Sequence, residues 1–234
     1  MGECPPQIVK RRIVRFDAGT VEEMLDDVLV ESSIKLFWNG ELVFSGLITR
    51  CNLVEFTIGH LISRGLVASP GDIHQINVKG DKIEANGEQA QSERLLRRPL
   101  KDFSVKAWKL ITFSNKFRSL AWIYRETAST HTGALISNGE IVSFYEDISR
   151  WNVADKLIGS AFTKSIHPDI VIMSSRMVSP LLRKFLVLGV PIIASISAPS
   201  EGAIELAEEA GITLIGFLRG QRFNIYTNEF RIIF

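Results

Sequence analysis

Cysteine is scarce in this chain of 234 residues: there are two, Cys4 and Cys51, far apart and in no CxxC pair. A structural zinc site wants four clustered ligands, so no metal centre is expected. A structural disulfide is not expected either in a reducing compartment. Long apolar runs are also absent. Nothing approaches the roughly 18 residues of a membrane helix, and the opening MGECPPQIVKRRIVRF lacks the apolar segment of a secretory signal. Pro6 and Gln7 follow Gly2 where a myristoylation motif would place Ser or Thr. These absences predict a cytoplasmic protein with no membrane role. No charge of one sign dominates: 27 basic residues face 26 acidic ones, for a formal net charge of +1. Bulk attraction to nucleic acid is therefore not expected, and any anion site must be local. There is no P-loop, no GxGxxG and no GxSxG.

Hydrophobic residues make up 46% of the chain, enough for a sizeable core in one large domain or two small ones. The first half reads as α+β. Residues 13–16 suit a short strand. The run 33–49 flanks Asn39-Gly40, a strong hairpin signal. Apolar residues at 53, 54, 58, 61 and 62 have helical spacing, with Gly65 as a stop. Residues 72–87 read as a second hairpin turning at Gly80-Asp81. The polar, basic stretch 87–104 reads as a connection.

The pattern then changes. Residues 114–128 read as a helix, and 131–147 as a hairpin around Asn138-Gly139. Beyond them helices at 150–164, 179–188 and 201–210 alternate with strands at 170–173, 191–197 and 213–219, before a final strand pair. Such alternation predicts a layered α/β domain over 105–234 with a largely parallel sheet, joined to an α+β subdomain over 1–104. Ligands in such folds bind beyond the C-terminal ends of the strands.

Polar residues gather at those strand ends. The first junction, EDISRWNVADKLIG (146–159), combines Glu146, Asp147, Arg150, Asn152, Asp155 and Lys156, with Ser149 as N-cap. Glu146 and Asp147 are adjacent on a strand and so point to opposite faces. The second junction holds Ser174, Ser175 and Arg176; the third holds Ser197 and Ser200. The fourth is FLRGQR (217–222), in which Arg219 and Arg222 bracket Gly220. Helix starts and arginine forks suit phosphate. Together they predict a phosphate-bearing ligand. A lone His131 beside Thr132-Gly133 is more often structural than catalytic, although a hydrolase using His131 with Asp147 is a third reading.

These same residues carry a resemblance. EDISRWNVADKLIG and the ungapped run 174–227, from SSRMVSP to FLRGQRFNIYT, closely resemble the FdhD family of formate dehydrogenase accessory proteins. The likeness extends through HTGAL (131–135) and more thinly through residues 37–66. It implies a three-layer C-terminal domain with a cytidine deaminase-like fold, a homodimer, and a guanylated molybdenum cofactor, Mo-bis(molybdopterin guanine dinucleotide), that GDP would partly mimic. It also implies sulfur received from a cysteine desulfurase through a cysteine persulfide, for delivery to formate dehydrogenase. Phe217, Leu218, Arg219, Gly220, Gln221 and Arg222 match the family's cofactor-binding stretch. His131, Arg150, Asn152, Asp155, Lys156 and Arg176 complete the implied binding set.

The chain departs from the family pattern in places. Gly-Arg-His-Asn becomes Ser149-Arg150-Trp151-Asn152, and Ser-Gly-Arg becomes Ser174-Ser175-Arg176. Between 92 and 104, where the family carries its persulfide cysteines, this chain has none; Cys51 falls at a helix start and Cys4 in a terminal tail. His131-Thr132-Gly133 lacks the glutamate of HxE and there is no PCxxC, so neither zinc nor deamination is expected. An alternative to the sulfur-transferring accessory protein is therefore a cofactor-binding or interaction protein without that step.

Overall fold

The computed structural model describes residues 4–90, 98–100 and 102–234. Part of the basic connection read at 87–104, and most of its cysteine-free loop, lies outside the described residues. The chain opens with a hairpin of β1 (Ile8–Asp17) and β2 (Thr20–Leu29), paired along their whole length. Ala18 and Gly19, at φ 46 and 96, supply the positive φ values that a two-residue hairpin turn needs. The sequence pattern shows only a fragment of this ribbon. TVEEMLDDVL has no buried face, and cross-strand pairs such as Lys10–Asp27, at 2.7 Å, stand in for apolar packing.

The next two hairpins lie where the sequence places them. β3 (Ser32–Trp38) and β4 (Glu41–Ile48) turn at Asn39-Gly40. After helix α1 (Leu53–Ser63), β5 (Ile73–Lys79) and β6 (Lys82–Gly87) turn at Gly80-Asp81. The four strands form one sheet in the order β4-β3-β6-β5.

One expectation is overturned here. Ile8 pairs with Leu29, Ser32 pairs with Ile48, and the Val30 N–H donates to the Gln7 carbonyl at 2.8 Å. The start of the chain therefore meets the end of β4. Cys4 and Cys51 join there as a disulfide, with Cα atoms 5.0 Å apart. The pairing depends on the return of β2, which the sequence pattern hides.

The second half builds a six-stranded sheet. A short β7 (Val105–Lys106) leads into α2 (Ala107–Leu120) and α3 (Trp122–Thr127), two helices rather than one, because Ala121 leaves helical geometry at ψ 72. Then come β8 (His131–Ser137), β9 (Glu140–Asp147), α4 (Arg150–Thr163), β10 (Ile170–Met173), α5 (Ser179–Phe185), β11 (Ile192–Ser195), α6 (Glu201–Ala210), β12 (Thr213–Arg219) and β13 (Arg222–Ile225). The order is β13-β12-β11-β10-β8-β9. Only β10, β11 and β12 pair parallel; β8 joins β9 and β10 antiparallel, as β13 joins β12. The sheet is thus mixed rather than largely parallel, because hairpins supply both of its flanks. The last strand, β14 (Ile232–Ile233), pairs with β7 rather than with β13.

Alternate residues of the central strands face two helix layers. Ile170 and Ile172 pack with Leu110, Phe113 and Phe117 of α2. Val171 and Met173 pack with α4, α5 and α6. The result is three layers. The second cluster continues across residue 104 into Ile34, Phe56 and Leu61, so the two halves share one core. Helices α1 and α4 touch backbone to backbone. A Cβ on Gly59 would lie 1.8 Å from the Asp155 carbonyl oxygen, and one on Gly159 would lie 1.8 Å from that of Glu55.

Candidate functional site

The polar junction after β9 resolves into two structures. Glu146 faces one way: its carboxylate accepts from the Ile123 and Tyr124 N–H groups at the start of α3, and from the Thr130 hydroxyl at 2.9 Å. Asp147 faces the other way and is fully buried. It accepts from Lys156 Nζ at 2.6 Å, the Thr49 hydroxyl at 2.9 Å, the Thr49 N–H, Asn152 Nδ2 and the Ser149 N–H. Lys156 also donates to Thr49, and Asn152 donates to the Leu47 carbonyl. Burial pushes the Lys156 ammonium down in pKa, and Asp147 opposes that shift. Asn152 and Lys156 therefore tie α4 to β4.

Asp155, one position earlier on α4, belongs to a second buried cluster. It accepts from Lys184 Nζ at 2.5 Å and from the Ser63 hydroxyl at 2.9 Å, and lies 3.0 Å from His60 Nδ1. Burial alone would raise its carboxyl; Lys184 and His60 outweigh that and hold it below the usual range. This cluster lines a cleft of about 980 Å³ between α1, α4 and α5, which Asn152, Trp151 and Arg183 also border.

The anion-suited groups meet elsewhere, at the end of the sheet where β9, β10, β11 and β12 finish and antiparallel β8 begins. A cavity of about 480 Å³ is lined by His131, Arg150, Trp151, Ser175, Arg176 and Ser197, among others. Ser175 Oγ is buried and has no hydrogen-bond partner among the described residues. A neighbouring cavity of about 670 Å³ shares His131 and Ser174, and adds Arg118, Arg125 and Arg219. None of Arg150, Arg176, Arg219 and Arg222 forms an ion pair among the described residues. Burial holds the His131 imidazole below its ordinary pKa, the Arg150 guanidinium adds to this, and Asp147 only partly opposes it. His131 is thus neutral at pH 7.

Local backbone aims the arginines. The β12–β13 ladder slips between Gly216 and Arg219, and Phe217 takes φ 53, unusual for a bulky residue. Its N–H is held by the Ser197 carbonyl at 3.0 Å. Gly220, at φ 62, helps to close the two-residue turn that sets Arg219 opposite Arg222. Like charges at directly opposite positions of a ladder are unfavourable.

The sequence-predicted set therefore divides. His131, Arg150 and Arg176 share one cavity, with Arg219 on the adjoining one. Gly220, Gln221 and Arg222 are exposed at the turn beside it. Leu218 is buried against α2, where its carbonyl accepts from the Ser114 hydroxyl; Phe217 is half-buried, with the Arg219 guanidinium 5.7 Å from its ring centroid. Asn152 and Asp155 border the 980 Å³ cleft instead, and Lys156 lines none of these cavities. Asp147 gives both carboxylate oxygens to Thr49, Ser149, Asn152 and Lys156, which leaves it poorly placed to serve His131. Sequence reasoning ranks Ser175 with other junction serines and does not reach Arg118, Arg125, His60 or Lys184. Nothing in the local sequence tells an orphaned hydroxyl from a helix cap.

The profile of the FdhD/NarQ family matches residues 83–233. The chain is 32% identical to "Sulfur carrier protein FdhD" of Sulfolobus acidocaldarius, covering 97% of this chain and 99% of that one. It is 34% identical to "Protein FdhD" of Methanocaldococcus jannaschii, covering 94% and 97%. Among solved structures, a chain assigned as a formate dehydrogenase accessory protein of Desulfotalea psychrophila superposes with a TM-score of 0.89 at 25% identity, covering 97% of this chain and all of that one. By profile, sequence and fold, the chain belongs to the FdhD/NarQ family.

Proposed function

We propose that this chain binds a guanylated molybdenum cofactor, Mo-bis(molybdopterin guanine dinucleotide), and assists its sulfuration or its delivery to formate dehydrogenase. One observation carries the reading: Arg150 and Arg176 line a single cavity at the end of the sheet together with Ser175, whose buried hydroxyl has no partner among the described residues. A buried hydroxyl without a partner is costly and calls for a polar ligand. Two guanidinium groups without acidic partners beside it fit phosphate oxygens. Arg219, on the adjoining cavity, would take further phosphate oxygens, and the face of Trp151 would stack a base. Neutral His131 can donate or accept a hydrogen bond without adding charge. The cofactor itself brings the metal and its sulfur ligands; the chain's residues grip the nucleotide ends.

The same reading makes a cysteine desulfurase the sulfur donor, formate dehydrogenase the client, a homodimer the assembly and the cytoplasm its place. It also assigns the C-terminal layers to the cytidine deaminase-like class. Among the described residues no helix is long and apolar enough to cross a membrane. The absence of cysteine between 92 and 104 favours a second reading, in which the chain binds the cofactor but has lost sulfur transfer.

Calorimetric titration with GDP tests the binding. Wild type is expected to bind saturably, and Arg219→Ala to bind about tenfold more weakly or worse, the range for losing a charge-assisted hydrogen bond. A well-folded wild type that does not bind GDP would remove the reading's main support.

A further inference from the structure

Carrying sulfur as a persulfide requires a thiolate, because the thiolate is the nucleophile in every exchange of this kind. The chain has two cysteines and the structure places both at one point. Cys4 precedes β1 and is exposed; Cys51 lies half-buried in the turn between β4 and α1. A crosslink stabilises mainly by constraining the unfolded chain, whether or not it is buried. An exposed one is open to attack and exchange.

The two thiols are not equivalent. Cys51 is held by the turn in which its N–H donates to the Thr49 carbonyl at 2.7 Å. It sits one residue before Asn52, the N-cap of α1, whose side chain makes no capping bond. Thr49, two residues before Cys51, donates its N–H to Asp147, and its hydroxyl lies within hydrogen-bond reach of both Asp147 and the Glu146 carbonyl. Asp147 in turn pairs in register with His131 at the rim of the arginine-lined cavity. The pair therefore stands on the segment that ties the N-terminal layer to the cofactor-suited end of the sheet.

Resting on the sulfur-carrier reading above, we infer that Cys51 and Cys4 form a sulfur-accepting and resolving pair, whose substrate is a protein or low-molecular-weight persulfide. In the reduced chain, Cys51 thiolate attacks the outer sulfur of a donor R–S–SH. The donor S–S bond breaks, R–S⁻ leaves, and Cys51 holds the persulfide. Cys4 thiolate then attacks Cys51 Sγ and breaks its bond to the outer sulfur, which leaves as HS⁻. The sulfane sulfur is reduced to sulfide, and the two cysteine sulfurs are oxidised to the disulfide seen in the structure. A dithiol reductant returns the pair to the starting state.

The test uses full-length wild type, Cys4→Ser and Cys51→Ser, all reduced first, so that loss of the crosslink is common to the three. Folding of each is checked by circular dichroism. Glutathione persulfide is the probe, and adducts are read by intact mass and by peptide mapping after alkylation. Wild type should gain one sulfur on Cys51, release sulfide and close the disulfide. In Cys4→Ser the Cys51 adduct should persist at least about tenfold longer, since no resolving thiol remains. Cys51→Ser should gain no stable adduct. No adduct on Cys51 in either wild type or Cys4→Ser would overturn the inference, as would equal adduct lifetimes in those two proteins. GDP titration of the same preparations separates the failures: GDP binding without any adduct overturns the cysteine assignment alone, whereas loss of both overturns the cofactor reading as well.

Discussion

At the scale of single residues, the buried pair Asp147–Lys156 is asymmetric, and the asymmetry can be measured. Without Lys156, Asp147 keeps four donors: two from Thr49, one from Ser149 and one from Asn152. Without Asp147, Lys156 keeps, among the described residues, only the carbonyl and hydroxyl oxygens of Thr49 as hydrogen-bond partners. An ammonium that burial already penalises would lose its hydrogen-bonded counter-charge there and keep only the weaker pull of Glu55. Removing one partner of a buried pair costs about 3–5 kcal/mol. Asp147→Ala should lie in that range, and Lys156→Met clearly below it, since Met fills much of the same volume and leaves the carboxylate hydrogen-bonded. Urea unfolding of both variants decides; a Lys156→Met loss as large as that of Asp147→Ala would refute the ranking. The same residues explain why the junction after β9 reads as a binding wall in sequence. Each group is of a type that binds phosphate or acid, and only the fold shows that Asp147, Asn152 and Lys156 satisfy one another.

At the scale of elements, the union of α1 and α4 carries the arrangement of the 980 Å³ cleft. Gly59 and Gly159 let the two backbones meet, each facing a carbonyl of the other helix at 1.8 Å from where a Cβ would stand. That obstacle is backbone and cannot swing aside as a side chain can. Gly59→Ala and Gly159→Ala should each push the helices apart, against a usual overpacking cost of about 1–3 kcal/mol, and reach or exceed its upper end. The shift would also stretch the contact from His60 to Asp155, so both variants should melt well below wild type. A melting temperature within a degree of wild type would show that the helices do not meet as described. Hairpin turns such as Asn39-Gly40 and Asn138-Gly139 are legible in sequence because few residues accept positive φ there. The strand β2 is not, because it has no buried face to leave a period. The helix spacing of 53–62 is legible too, but not the reason for its glycine, which lies on another helix about a hundred residues away. The arginines at the cavity-bearing end of the sheet are legible as strand-end residues. Their sharing of a cavity with Ser175 depends on strand order, which no local pattern encodes.

At the scale of the whole molecule, two groups set how stability responds to acid, and they act with one sign. Burial lowers the pKa of His131, so the unfolded chain takes up this proton near pH 6.5 while the folded chain still resists it. Asp155 is lowered because Lys184 and His60 outweigh its burial. Its contribution is present above the ordinary carboxylate range, near pH 4, and is lost as pH falls through the still lower folded value. In both windows the unfolded state binds more protons, so stability falls as pH falls. The expected curve declines first below about pH 6.5 and again below about pH 4. His131→Gln should flatten the first decline and leave the second in place, because Asp155 and its partners sit in the other cleft. Chemical unfolding at a series of pH values, on wild type and His131→Gln, separates the two steps. A wild-type curve that is level between pH 7.5 and 5, or an unchanged slope in the variant, would mean that the imidazole is not held neutral by the folded state. It would then stand as a cation among Arg150 and Arg176, and the charge balance at that end of the sheet would have to be redrawn.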